Sequence, residues 1–179
     1  MSITFVPLTR SDFDLVSRWL AEPAIERWWH DDPSPAGIEA QYGPSIDGLD
    51  PTQVFVAWLD DQPLGLIQRY RVDDEPEFGG ELKAACDIPP GALSIDYFVA
   101  DPARRGRGLG SHMIAALVAD AWSAYPDAPA VIVPIAAANR RSGRALERAG
   151  FRWIASGQLT PDNPIDPPDH EIYRIDRPN

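Results

Sequence analysis

Cys86 is the only cysteine among the 179 residues. No disulfide can close within the chain, which fits a reducing compartment. Basic charge is scarce: 16 Lys and Arg against 27 Asp and Glu leave a net charge of -11. Such a surface repels nucleic acid unless a basic patch is segregated, so nucleic acid is not expected as a partner. No apolar run approaches the roughly 20 residues of a membrane span. The N-terminal "MSITFVPLTRSDF" has neither the basic nor the apolar region of a signal peptide. The expectation is a cytoplasmic protein, away from membranes, whose acidic charge favours a cationic partner where it is not simply a solvated surface, as most of it is expected to be. His30, His112 and His170 show no metal-ligand spacing, and no metal site is expected.

Proline is abundant, at 19 residues gathered near 33–44, 76–102 and 161–178, and reads as stiff loops between elements. The length suits one domain, residues 1–179, with a disulfide-free core. "ITFVPL" reads as a first strand. Phe13, Leu15, Val16, Trp19 and Leu20 then form a helical stripe, capped at Thr9 or Ser11 and stopped by Pro23. "AIERWW" and "AGIEAQYGPSIDGLD" read as further helical pieces. "TQVFVAWLDDQPLGLIQRYRV" is a hairpin turning at residues 60–63. "DDEPEFGGELKAACDIPPGA" reads as a polar loop. The strand "LSIDYFVADP" follows, then an amphipathic helix with apolar positions 113, 114, 117, 118, 121 and 122. "AVIVPIAA" is a buried strand in which Pro134 calls for a bulge or an edge. A helix ending at Gly150 and two strands, "FRWIASGQL" and "EIYRIDR", close the chain. The order specifies one α/β domain on a mixed sheet.

"DPARRGRGLGSHM" breaks the acidic trend, setting Arg104, Arg105 and Arg107 among Gly106, Gly108 and Gly110 just before a helix. Backbone N–H groups at a helix start bind anions, glycines let a ligand approach the backbone, and arginines add charge. The stretch reads as a phosphate or pyrophosphate site, against the plainer reading of a turn with solvated arginines. It contains no Walker sequence and no Gly-x-Gly-x-x-Gly. Arg105, Gly108 and Gly110 do match Arg-x-x-Gly-x-Gly between a strand and a helix. With "NRRSGRALERAGF" as a second motif, the sequence resembles the GNAT family of acyl-CoA-dependent N-acetyltransferases. The resemblance implies a splayed mixed sheet of about six or seven strands flanked by helices, with acetyl-CoA as co-substrate. It implies that Arg105, Gly106, Arg107, Gly108, Leu109, Gly110 and Ser111 cradle the pyrophosphate. Phe98, Val99 and Ala100 would pair with the pantetheine amides, and a backbone N–H near Phe98 or Val99 would polarise the thioester. Asn139 would lie beside the pantetheine, and Arg104, Arg107, Arg140 and Arg141 near the 3′-phosphate.

Over nearly the whole chain, "IERWWHDD", "AQYGPS", "LGLIQRY" and "SIDYFVADP" are similar to stretches of the aminoglycoside 6′-N-acetyltransferases. That similarity implies acceptor contacts at Trp29 and Tyr42. It also implies that Asp96 binds the amine and takes its proton, against the plainer reading of a loop cap or an arginine partner. Adjacent tryptophans on a helix face different sides, so one of Trp28 and Trp29 belongs to the core and one to a cleft. Asp73, Asp74, Glu75 and Glu77 form either a lip for a cation or a solvated loop. Two departures from the subgroup stand out. Leu146 occupies the position of its thiolate-protonating tyrosine, leaving Tyr97, Ser142 or water for that task. Pro134 stands where the subgroup carries an acid. The expected reaction is direct acetyl transfer, in a ternary complex, to a small-molecule amine such as an aminoglycoside, by a monomer or homodimer. Antibiotic resistance is the phenotype this implies. The alternatives are a siderophore-type hydroxylysine or lysine acyltransferase and a non-catalytic acetyl-CoA-binding protein.

Overall fold

The computed structural model describes residues 2–178. Seven strands form one mixed sheet: β1 (Ile3–Pro7), β2 (Gln53–Leu59), β3 (Gln62–Arg71), β4 (Leu93–Val99), β5 (Ala130–Ala136), β6 (Arg152–Gln158) and β7 (Asp169–Asp176). Their order is β1-β2-β3-β4-β5-β7-β6. Neighbours are antiparallel except β4 and β5. The β2–β3 turn uses Asp60 and Asp61, both at positive φ, which Asp tolerates better than most residues.

Six helices cover the sheet: α1 (Phe13–Leu20), α2 (Pro23–Trp29), α3 (Pro35–Ile46), α4 (Pro76–Ala85), α5 (Leu109–Ala124) and α6 (Arg140–Arg148). Proline opens α2, α3 and α4, where a missing N–H costs nothing. Val16, Leu20, Ile25, Ile38 and Tyr42 pack with Val54, Val56, Leu66 and Phe98 on one face. Met113, Ile114, Leu117, Val118 and Ala121 pack with Leu93, Ile95, Val131 and Val133 on the other. Asp96 and Phe98 therefore share the α1–α3 face of β4, and Tyr97 faces α5 and α6.

The segment expected to be a polar loop, residues 73–92, contains α4. Its glycines suggested a turn, but Gly79 is there for contact: a Cβ would lie 2.7 Å from the Val72 carbonyl. Leu82 is buried beside Ile132 and Ile172, and Phe78 meets the Tyr70 ring edge-on at 5.8 Å. Tertiary packing outweighs the weak local propensity.

β4 and β5 share one paired position, Leu93 with Val131, and then diverge. Pro134 lies beyond that position, still in register with Ile172 of β7. Its edge toward β4 has no neighbour, which is where a strand tolerates proline. Just outside the two ends of β4, Ala100 N–H donates to Leu64 O at 2.9 Å, and Ala92 O accepts from Val72 N–H at 3.0 Å. In an antiparallel ladder such residues alternate. The even-numbered residues of β4 thus face β3, and Ile95, Tyr97 and Val99 turn their peptide groups to the gap. Gly65 lets β3 approach there: any Cβ would lie 2.0 Å from Phe98 O.

Candidate active site

The gap opens into a cavity of about 680 Å³ that runs from the start of α5 to the end of α2. At one end stand Arg105, Gly106, Gly108, Gly110 and Ser111, faced by Asn139, Arg141, Arg144 and Arg148. Gly106 (φ 78°) and Gly108 (φ 81°) are left-handed, a conformation that glycine takes without strain. α5 begins at Leu109, so its first N–H groups point out of this loop. Positive side chains, exposed N–H groups and the helix dipole make this end fit for a polyanion.

Arg105 is a brace within that loop. Its Nε donates to Val99 O at 2.8 Å, and its Nη2 to Ala100 O and Glu22 Oε2, both at 2.7 Å. The guanidinium has 13% of its side chain exposed and ties the loop to the residue that caps α2. The ion pair with Arg105 holds the Glu22 carboxyl below its ordinary range.

The other end is acidic. Asp96, Asp31 and Asp162 line it with Trp28, Trp29, Gln41 and Gln68. Asp96 accepts from Gln68 Nε2 at 2.9 Å, across a registered β3–β4 pair. Burial pushes the Asp96 carboxyl up; hydrogen bonds from Gln68 and Tyr70 oppose this, and the like charge of Asp31 adds to it. Asp31 accepts from Trp29 Nε1 at 2.6 Å and from the Tyr42 hydroxyl at 2.7 Å. Burial again raises it, against those two bonds. Asp162, in the β6–β7 loop, is pushed up to about 7 by desolvation and by the charges of Asp96 and Asp31. It still meets solvent at the rim, which screens part of that repulsion. The loop is latched to α2: Arg27 donates to both Asp166 oxygens at 2.7 and 2.6 Å, and Asn163 Nδ2 donates to Arg27 O at 3.2 Å. Among the described residues no three of His, Cys, Asp and Glu converge as a metal ion requires. The three carboxylates surround a space large enough for an extended cation.

The residues expected from the sequence are distributed as follows. Asp96, Phe98, Val99, Arg105, Gly106, Gly108, Gly110, Ser111, Asn139 and Trp29 line the cavity. Arg107 is exposed and Leu109 buried in the core, and neither lines it. Ala100 is off the wall, with its N–H bound to Leu64. Of the three strand-end residues, only Val99 turns its peptide N–H to the gap. Tyr42 is buried and off the cavity wall, reaching the site through its bond to Asp31 and through Trp29 Nε1, which donates to its hydroxyl at 3.2 Å. Asn139 caps α6, its Oδ1 accepting from Ser142 N–H at 3.2 Å. Trp28 and Trp29 both line the cavity, Trp28 under the Arg27 guanidinium at 4.1 Å, and Trp29 also packs on the core, meeting Phe98 edge-on at 4.9 Å, so the two do not divide between core and cleft as expected.

Residues 9–159 match the family model described as an acetyltransferase (GNAT) domain. The chain belongs to the GNAT family. Its chemistry is that of an N-acetyltransferase. The chain is 28% identical over 166 residues to an aminoglycoside N(6′)-acetyltransferase type 1 of Klebsiella pneumoniae, covering 91% of this chain and 80% of the relative. The crystal structure of aminoglycoside acetyltransferase AAC(6′)-Ib with coenzyme A superposes with a TM-score of 0.85 at 26% identity, covering 98% of this chain and 95% of that one. The same enzyme with coenzyme A and kanamycin gives 0.83 at 25%, covering 98% and 95%. Among GNAT features, the splayed sheet and glycine loop were legible from motifs. Arg141, expected near the 3′-phosphate, does line the basic end, whereas Asp31, Asp162, Arg144 and Arg148 were not singled out for the site's two ends, since only the fold brings them there. For Asp162 the available signal was an aspartate in a proline-rich loop next to a strand, which is common in any surface loop.

Proposed function

We propose that this GNAT protein transfers the acetyl group of acetyl-CoA to a primary amine of a polycationic small molecule, an aminoglycoside 6′-amine being the preferred acceptor. One observation carries the reading. A single cavity has a basic, N–H-rich end and an end with three carboxylates, and the two meet where β4 and β5 part. Acetyl-CoA is a polyanion with an extended, amide-bearing arm. Its phosphates suit the loop from Arg105 to Ser111, and its amides suit the open edge of β4. A multiply charged amine suits Asp31, Asp96 and Asp162, and aromatic walls at Trp28 and Trp29 suit cations and sugar rings.

The attacking amine must be neutral. Releasing the proton of an alkylammonium, with a pKa of about 10.4, costs roughly 5 kcal/mol at pH 7. Asp96 orients the ammonium and receives its proton, and its raised pKa makes it a stronger base than an ordinary aspartate. The nitrogen then adds to the thioester carbonyl. The Val99 N–H, turned to the gap, donates to the developing oxyanion. The adduct nitrogen gives its second proton to water, collapse breaks the C–S bond, and the amide and CoA leave.

A free-thiol assay with acetyl-CoA tests the reading against kanamycin, tobramycin, their analogues lacking the 6′-amine, spermine, lysine and hydroxylysine. CoA release with the parent drugs but not the 6′-deamino analogues is expected. The same enzyme expressed in a susceptible host should raise the inhibitory concentration of those drugs. Turnover of hydroxylysine alone would replace the reading with a siderophore-type acyltransferase. CoA binding with no turnover of any amine would make the protein a sensor.

A further inference from the structure

The cavity wall carries a pair of hydroxyls that the steps above do not use. Tyr97 Oη and Ser142 Oγ are 2.7 Å apart, and both residues line the cavity. Tyr97 follows Asp96 on β4, and Ser142 lies in the first turn of α6 beside its cap, Asn139. Two hydroxyls bring two protons, and their mutual bond uses one. For the other, the described residues offer only the Ser142 carbonyl, 3.4 Å from Tyr97 Oη, well beyond a good O–H···O distance of about 2.8 Å. One proton is therefore available to an acceptor in the cavity.

The position of the pair says which acceptor. Neighbouring residues on a strand point to opposite faces. Asp96 and Tyr97 thus stand on the two sides of the same open edge, and an acyl group held along that edge lies between them. The amine enters on the Asp96 side. There Asp96 takes one ammonium proton, the neutral nitrogen forms the C–N bond, and the adduct nitrogen gives its second proton to water. The C–S bond then breaks, and sulfur departs with its electron pair. One turn further along α6, Leu146 is fully buried and apolar and offers no proton. We propose that the Tyr97–Ser142 hydroxyl pair is the hydrogen-bond donor to the departing sulfur of CoA. The proposal rests on the acetyl-CoA reading above.

The pair donates a hydrogen bond and keeps its proton. Burial raises the Tyr97 phenol above its ordinary range, opposed by the bond from Ser142. The phenol therefore stays protonated at every working pH. A thiol, with a pKa of about 8.5, leaves as the thiolate with that bond in place and takes its proton from water.

The test follows the thiol of bound CoA by its thiolate absorbance in the ultraviolet, with no acceptor and no turnover. In the wild type it should titrate below the thiol of free CoA. Tyr97→Phe keeps the ring, Ser142→Ala suits the helix, and the double variant removes both hydroxyls. The double variant should raise the bound-thiol pKa by about one unit or more, on the scale of a hydrogen bond to a charged acceptor. Each single variant should give a smaller rise. At saturating acceptor, kcat should fall about tenfold in the double variant while KM for acetyl-CoA stays within about twofold. An unchanged thiol pKa in all three variants, with CoA bound, overturns the proposal and leaves the acetyltransferase reading standing. Failure of the wild type to bind CoA overturns both.

Discussion

At Asp96 one carboxylate must hold an ammonium and accept its proton. Those tasks need a carboxyl more basic than usual yet ionised at working pH, and the cavity moves it upward by burial and by the charge of Asp31. Asp96→Asn should therefore cut kcat/KM by about 100-fold or more, with acetyl-CoA affinity by calorimetry essentially kept. The acid limb of the wild-type kcat/KM profile should fall at a pH above the ordinary aspartate range. Asp31→Asn removes the like charge, so that limb should move to lower pH. It should also raise acceptor KM, because Trp29 and Tyr42 lose the carboxylate that fixes them. A limb that stays in place would show that Asp31 does not act on Asp96 through charge. Asp96 could be found in sequence because its strand runs into a glycine loop of fixed spacing. Asp31 could not: its role is set by two aromatic donors, one of them 11 residues away on another helix.

Between elements, the ties that matter are few and charged. Arg105 joins the glycine loop to α2 through Glu22, and Arg27 joins α2 to the β6–β7 loop through Asp166. α2 thus connects both ends of the cavity. Arg105→Ala would leave Val99 O, Ala100 O and Glu22 without their donor, a loss of about 2 kcal/mol or more given charge-assisted bonds at a mostly buried site. Urea unfolding should register it, and KM should rise for both substrates. A rise confined to acetyl-CoA would mean that α2 does not transmit the change. The seven strands along the chain, the helices after the loop and a proline that calls for a bulge or an edge were readable from periodicity and punctuation; the order of the strands in the sheet was not. α4 was not, because its glycines look like a turn and its burial depends on Val72, Ile132 and Ile172, distant in sequence or in other elements.

For the molecule as a whole, the net charge of -11 conceals a local separation of sign. The acceptor end gathers like charges at some cost to the fold. Asp31, Asp96 and Asp162 all have pKa values raised above the unfolded value of 3.8. A raised carboxyl favours the folded state below its unfolded pKa, and that advantage disappears as pH climbs through the folded value. For Asp162 the window runs from about 4 to about 7. Asp162→Asn should therefore raise Tm at pH 8 and leave it nearly unchanged at pH 4. Equal effects at both would exclude electrostatic crowding as the cause. Added salt should raise KM for a polycationic acceptor more than for a monoamine, because several attractions are screened together.

The parting of β4 and β5 gives this sheet two inner rims besides its outer ones. An unpaired rim is a template, and in most proteins it invites another chain to stack against it. Here the rims face each other across a slot walled by α2 and α6, with Pro134 on one side. Only something as slender as a single extended strand can enter and complete the ladder. The slot therefore selects by thickness before any charge or hydroxyl acts. Until it is filled, the amide hydrogens of Tyr97 and Val99 should exchange with solvent as those of a surface strand would, although they lie at the centre of the sheet.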